Sequence, residues 1–168
     1  IEGVTLSNLR LSFTHGGPFC AATTPVPEVI ERYPDGDMFE ELPAWGFYIR
    51  HVRGLRMTNV DLELAPGFVV ETESEKEHKR READGMPAPV ANTNGHAFFC
   101  DDVADFTLSG FAASDGVDHL APMYLRGVTE AVLRDCRAAD GASAFLAGAD
   151  LGKGAVSLLD LRLPKGVA

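Results

Sequence analysis

The sequence predicts an all-β fold, a right-handed parallel β-helix of about five coils with two long inserted loops. Three observations predict it. Short runs of alternating apolar and polar residues, typical of half-buried strands, recur along the chain. A residue type suited to a tight corner interrupts these runs at a constant position. The recurrences also keep a regular spacing, whose shorter value lies within the 20 to 50 residues expected of solenoids.

The corner is clear in "GVTLSNLRLSF" (3 to 13), where Asn8 separates two short strand signals. Asparagine tolerates the left-handed backbone region better than most residues, so it can turn a chain between strands. The equivalent positions are Asn8, Asn59, Gly110, Asp135 and Asp160, which are 51, 51, 25 and 25 residues apart. Apolar residues lie two before and one after each corner. An antiparallel sandwich is not expected to keep five corners in register.

A third strand precedes each corner at a fixed offset. It is read in "GFYIRHV" (46 to 52), "AFFCDDV" (97 to 103) and "MYLRGV" (123 to 128), with a weaker form in "SAFLAG" (143 to 148). If each strand pairs with the same strand of the next coil, two inward columns are predicted, Phe47–Phe98–Met123 and Ile49–Cys100–Leu125. The inward residues then also include Leu6, Met57, Leu108, Leu133 and Leu158.

The two longer spacings predict inserted loops at 14–45 and 65–95, both rich in glycine, proline and charge. Within the second loop, residues 71 to 82 mix both signs of charge and are most simply a solvated or partly disordered face. Long insertions on one side of a solenoid often build its binding surface. The chain is interpreted as one domain, 1–168, the C-terminal part of a longer solenoid.

Composition excludes several classes of function. The 168 residues include 15 Lys and Arg against 25 Asp and Glu, a net charge of −10, which argues against a nucleic-acid partner. No apolar run is long enough to span a bilayer. The three cysteines, Cys20, Cys100 and Cys136, lack metal-ligand spacing and leave the disulfide state open, and the histidines share no spacing either. We therefore expect no metal and no cofactor.

The runs "IEGVTLSNLRLSF", "YPDGDMFEELPAWGFYIRHVRGLRMTNVDLEL" and "AFFCDDVADFTLSGFAAS" carry a resemblance over about residues 1 to 115. They resemble the C-terminal coils of bacterial proteins similar to glycoside hydrolase family 28, the polygalacturonase-like family. The later coils fit by the repeat alone. The resemblance implies a right-handed parallel β-helix with a sugar-binding groove, a polysaccharide or oligosaccharide partner of pectin or uronate type, and a secreted or periplasmic location.

The family's catalytic motifs are not present, and no catalytic residue is assigned. The nearest strings are "NTN" (92 to 94), "CDDV" (100 to 103), "NGH" (94 to 96) and "YIR" (48 to 50), and each departs from the family pattern. Inverting glycosidases need two carboxyl groups about 6.5 to 9.5 Å apart on one site. Asp101 and Asp102 are adjacent on a predicted strand and would point to opposite faces. We expect this chain alone to be inactive.

The candidate binding residues follow from stacking the third strands. Tyr48, Phe99 and Tyr124 form an outward aromatic column, and Arg50, Asp101 and Arg126 an outward charged column with Arg50 accessible. The simplest interpretation is an exposed ion ladder. The functional one is a groove in which aromatic rings lie against sugars and arginines bind a uronate carboxylate. The predicted substrate-binding residues are Trp45, Tyr48, Arg50, Asp101, Tyr124 and Arg126.

Two functions stay open. The first is the C-terminal portion of a pectin-type glycoside hydrolase, supplying groove wall and loops. The second is a non-catalytic β-solenoid for carbohydrate binding or assembly. Ile1 begins directly on the coil pattern, and open solenoid ends need covers. We therefore expect contact there with N-terminal coils of the same protein, another chain, or a second copy.

Overall fold

The computed structural model describes residues 1–16, 22–31, 39, 41–70, 79, 83, 95–114 and 120–165. The elements with defined bounds within these residues are all strands, and their pairings are all parallel, while the single described residues Lys79 and Ala83 are helical. The strands are β1 (Glu2–Gly16), β2 (Ala44–Val70), β3 (His96–Ala113), β4 (Met123–Arg126), β5 (Thr129–Arg134), β6 (Leu146–Ala149) and β7 (Val156–Leu159). Across the same residues, no helix is long and apolar enough to cross a membrane.

The strands form one sheet in which β1, β2 and β3 lie side by side along most of their length. Beyond β3 the ladder divides: β4 and then β6 continue its first part, while β5 and then β7 continue its middle part. The predicted register is confirmed. The paired columns include Phe47–Phe98–Met123, Ile49–Cys100–Leu125 and Leu6–Met57–Leu108–Leu133–Leu158.

All five predicted corner residues have left-handed backbones, with φ between 51° and 70°. Two further columns of left-handed residues, which the sequence did not predict, follow the same register. One contains His51, Asp102, Gly127 and Asp150, and the other contains Gly3, Gly54, Asp105 and Glu130. A left-handed residue bends the local path of a strand. The three columns place three such residues in each of β2 and β3, and β2 has a fourth at Gly67.

The core is formed by inward side chains from segments on both sides of these corners. Within β3 alone, the ring centroid of Phe98 lies 5.8 Å from those of Phe106 and Phe111. Of the predicted inward residues, Met57, Phe98, Cys100, Leu108, Leu125 and Leu133 are buried, while Leu6 and Ile49 are half-buried against the core. Buried thiols at Cys100 and Cys136 are both free, and Cys20 lies outside the described residues.

The prediction that Leu158 is buried is wrong. It pairs with Leu133 as expected, yet its side chain is 45% exposed. The strand β7 pairs only with β5 among the described strands, so Leu158 is packed from one side. Correct register therefore does not ensure burial in the last strand of a ladder.

The strands extend beyond the starts of both predicted insertions. After a register shift that follows Phe13, His15 pairs with Val69 and Gly16 with Val70. Residues 22–31 and 39 of the first insertion are also described, and Ala22, Val26, Pro27, Glu28 and Phe39 contact side chains of the sheet. Most of the second insertion lies outside the described residues.

Truncation of a core leucine tests the register. We expect Leu108→Ala to lower the free energy of unfolding by about 2 to 5 kcal/mol, because it leaves a cavity among buried neighbours. The matched control is Leu158→Ala in the same column, which should cost about 1 kcal/mol or less because that side chain is already half in water. Urea denaturation measures both, and equal losses would contradict the assigned core.

The corner conformation is tested at Asn59, whose φ is 53° and whose Nδ2 donates to Oδ1 of Asn8 at 3.0 Å. Asn59→Gly removes the hydrogen bond but keeps a residue that accepts this backbone. Asn59→Ala removes the bond and adds a backbone penalty of roughly 1–2 kcal/mol. Thermal unfolding should therefore rank wild type above the glycine variant and the glycine variant above the alanine variant. A more stable alanine variant would show that the corner is not left-handed in solution.

Candidate functional site

The predicted charged column contains Arg50, Asp101 and Arg126, which are direct neighbours on β2, β3 and β4. We call these three residues the charged row. Arg126 binds Asp101 through two hydrogen bonds, from Nε to Oδ1 at 2.9 Å and from Nη2 to Oδ2 at 2.6 Å. The Tyr48 hydroxyl also donates to Oδ2, at 3.3 Å. Both oxygens of the Asp101 carboxylate are thus occupied by protein donors.

The electrostatics of the row follow from these bonds. The hydrogen bonds from Arg126 hold the pKa of Asp101 below its ordinary value, because they stabilise the carboxylate. Burial, and then the negative charge of Asp101, raise the pKa of Tyr48 to about 12. Asp101 is therefore ionised and Tyr48 protonated at neutral pH.

The aromatic column is present but it is not an open surface. The ring of Phe99 lies 5.6 Å from that of Tyr48 and is stacked 4.9 Å from that of Tyr124. Phe99 has no exposed surface, and the Arg126 guanidinium carbon lies 5.3 Å from its ring centroid. The outward side of these strands is thus covered, contrary to the expectation of an exposed face.

The predicted accessibility of Arg50 is wrong, because its side chain is only 11% exposed. Its Nη1 donates to the carbonyl oxygen of Val26 at 2.8 Å, and its Nη2 to that of Pro27 at 3.3 Å. The guanidinium carbon lies 5.4 Å from the ring centroid of Phe39, as well as 5.9 Å from that of Tyr48. All three new partners belong to the first insertion, whose placement the repeat did not predict.

Arg126 binds the same insertion from the other side of the row. Its Nη1 donates to the carbonyl oxygen of Ala22 at 3.0 Å. Since Arg50 holds Val26 on β2 and Arg126 holds Ala22 on β4, the backbone between these contacts crosses β3. We call residues 22–28 the strap. It converts the predicted exposed ion ladder into a covered one.

Of the six predicted binding residues, five come together: Tyr48, Arg50, Asp101, Tyr124 and Arg126. Trp45 does not join them. It is 8% exposed, belongs to the core cluster, and contacts Phe13 edge to face at 5.5 Å. The prediction that Trp45 lies in the row is therefore wrong, because its ring packs in the core. The substrate-binding role of the other five stays a prediction.

A second cluster beside the row was missed by sequence reasoning. His51 lies between two carboxylates, with Nδ1 2.6 Å from Oδ2 of Asp102 and Nε2 2.7 Å from Oε1 of Glu28. Hydrogen bonds to Glu28 and Asp102 raise the pKa of His51. All three side chains are exposed. The register already aligned His51 with Asp102, but nothing in the repeat indicated that Glu28, 23 residues upstream, would reach them.

Other titratable groups nearby do not form a metal centre. His96 is buried, its Nδ1 lies 2.7 Å from the carbonyl oxygen of Ala121, and burial lowers its pKa. Within the parts of the chain that the structure describes, no group of three or more His, Cys, Asp or Glu side chains could hold a metal ion.

Comparison with protein-family models, with curated proteins and with solved structures finds no match. The site is therefore interpreted from its own chemistry. Guanidinium groups backed by aromatic rings bind planar anions such as carboxylates. Here those groups are engaged by the strap.

Acid titration tests the Asp101–Arg126 pair. Because the native pKa of Asp101 lies below its ordinary value of 3.8, the pair stabilises the fold above that value and its contribution is lost as the pH falls below it. The free energy of unfolding of wild type should exceed that of Asp101→Asn at neutral pH, with the difference shrinking below about pH 4. A difference that grows on acidification would contradict the assigned pair.

Proposed function

We propose that the parallel sheet is coiled into a right-handed β-helix. The meeting of Phe98, Phe106 and Phe111 within one core supports a coil, because these residues come from three segments of a single strand. The three columns of left-handed residues supply the corners that such a coil needs. The right hand is the one that parallel crossovers adopt in nearly all proteins.

We further propose that this chain supplies wall and loops of a polysaccharide-binding groove, as the C-terminal portion of a glycoside hydrolase similar to family 28. The observation that carries this proposal is the anchoring of the strap across three strands by Arg50 and Arg126. Solenoids build their binding surfaces from insertions on one side. Here an insertion is fixed against a row that offers arginines and aromatic rings.

The chemistry of Asp101 supports a role in binding rather than catalysis for this row. A general acid must be protonated at the working pH, whereas Arg126 lowers the pKa of Asp101. A general base needs a free oxygen for water, whereas both oxygens accept protein hydrogen bonds. The same facts favour the second candidate, a non-catalytic carbohydrate-binding solenoid, over an active site at Asp101.

The ligand that suits this row is a sugar carrying a carboxylate. Arg50 is the residue that would bind this carboxylate, because its guanidinium lies near two aromatic rings and makes directed hydrogen bonds to oxygen. The net charge of −10 repels a polyanion at long range, so affinity has to arise from these local contacts.

The test combines an activity assay with a binding assay on the purified chain. Incubation with polygalacturonate should release no reducing sugar, because both oxygens of Asp101, the carboxylate of the row, accept protein hydrogen bonds. Trigalacturonate should bind with an affinity that falls about tenfold in Arg50→Gln. The matched control is Arg53→Gln, which removes the same charge from an exposed position of the same strand.

Two results would contradict the proposal. Release of reducing sugar that disappears in Asp101→Asn would place catalysis on the row itself. Equal affinity of wild type and Arg50→Gln, or equal affinity for trigalacturonate and a neutral trisaccharide, would remove the arginine row from binding.

A further inference from the structure

The contacts of Glu28 are those expected of a bound carboxylate. Its Oε1 lies 3.3 Å from Nη1 of Arg50 and 2.7 Å from Nε2 of His51. Arginine and protonated histidine are two of the three side chains that donate charge-assisted hydrogen bonds to carboxylates. Glu28 belongs to the strap, so the chain offers a carboxylate to its own arginine.

Other residues of the strap bind Arg50 and Arg126 through their backbone. Its carbonyl oxygens at Ala22, Val26 and Pro27 accept hydrogen bonds from Arg126 and Arg50. Those acceptors take the donor positions that a sugar's carboxylate and ring oxygens would otherwise use. The stacked rings of Phe99 and Tyr124 lie two residues before Asp101 and Arg126 on the same two strands.

We propose that the strap is an autoinhibitory self-ligand: Glu28 occupies at Arg50 and His51 the place of an acidic sugar's carboxylate, and loss of the His51 proton weakens its hold. The inference rests on the proposed function for the identity of the sugar. The closure of the strap by Glu28 and His51 is independent of it.

The proton on His51 matters because the ring contacts carboxylates at both nitrogens. A protonated imidazole donates from both nitrogens, so it satisfies Glu28 and Asp102 at once. A neutral imidazole has one N–H, and its other nitrogen presents a lone pair to a carboxylate. One of the two hydrogen bonds is then replaced by repulsion.

Glu28 and Asp102 are the charged groups that shift the pKa of His51, and the other charges described around the ring do not contact it. Arg50 contacts the same Oε1 of Glu28 as the ring does, and the ammonium group of Ile1 donates to the His51 carbonyl oxygen at 3.0 Å rather than to the ring. Asp150 lies in the same corner column, two strands beyond Asp102. The carboxylates raise the pKa of His51, so the double bridge is complete below the ordinary value of 6.5 and is lost as the pH rises through the raised one.

Closure can be measured without any sugar. The chain has three tyrosines; with fluorotyrosine incorporated and Tyr33→Phe introduced, two ¹⁹F resonances report Tyr48 and Tyr124. We expect Glu28→Ala to raise their relaxation by an uncharged soluble gadolinium chelate at least about twofold, by shifting the strap toward open states. Glu31→Ala, which removes the same charge from the exposed end of the same segment, should leave it unchanged.

The pH dependence isolates His51. In wild type the relaxation should rise between about pH 5 and pH 9 as the imidazole loses its proton. The variant His51→Asn still accepts a left-handed backbone, and its relaxation by the chelate should be high at both pH 5 and pH 9. His15→Asn, at an exposed position of β1, should behave as wild type. Unchanged relaxation in Glu28→Ala, or an unaltered pH step in His51→Asn, would overturn the proposal.

Sugar binding then distinguishes the closure of the strap from the proposed function of the site. Trigalacturonate should bind Glu28→Ala about tenfold more tightly than wild type, while Glu31→Ala matches wild type. If the strap opens in Glu28→Ala but no variant binds trigalacturonate, the proposed function is wrong and the closure stands. If both bind it equally, Glu28 does not compete for the site and the self-ligand is refuted.

Discussion

The alignment of left-handed residues in adjacent strands is the constraint on which the rest of this structure depends. A parallel ladder repeats its backbone conformation from strand to strand, so a corner in one strand requires a corner in the next. Only glycine, asparagine, aspartate and a few other residues accept that conformation at low cost. Once Asn8, Asn59, Gly110, Asp135 and Asp160 are in register, the inward columns between them are fixed as well.

That constraint also explains the position of the candidate site. Corners at His51 and Asp102 directly follow Arg50 and Asp101. The charged row and a polar corner are therefore adjacent on the same strands. The charged row binds the strap through Arg50 and Arg126, and the corner binds it through His51. Charged residues beside a corner thus hold the strap, which forms no strand pairing.

Sequence reasoning succeeded where the structure is periodic. The register, the five left-handed corners and the pairing of Arg50, Asp101 and Arg126 all follow from one 25-residue period and its 51-residue variant. It failed where a contact is made outside the period. Pairing within the ladder alone predicts that Arg50 is accessible. In the structure it is buried by Val26, Pro27 and Glu28 of the strap, which pairs with no strand.

Two other differences have separate physical origins. Leu158 occupies a core column but lacks a described neighbour on one side, so burial depended on more than alternation. The corner at His51 was missed because histidine is a less common left-handed residue than glycine or asparagine, although Asp102 and Gly127 in the same column are ordinary ones. Comparing columns rather than single strands would have found it.

The central claim is that the long strands turn at these corners and close around one core. Nuclear Overhauser contacts between the ring protons of Phe98 and Phe111 test it most directly, in a chain with one phenylalanine selectively labelled. The proposed coil predicts a strong contact, since the ring centroids are 5.8 Å apart. A straight strand would separate the two residues by about 40 Å, and the absence of the contact would contradict the account.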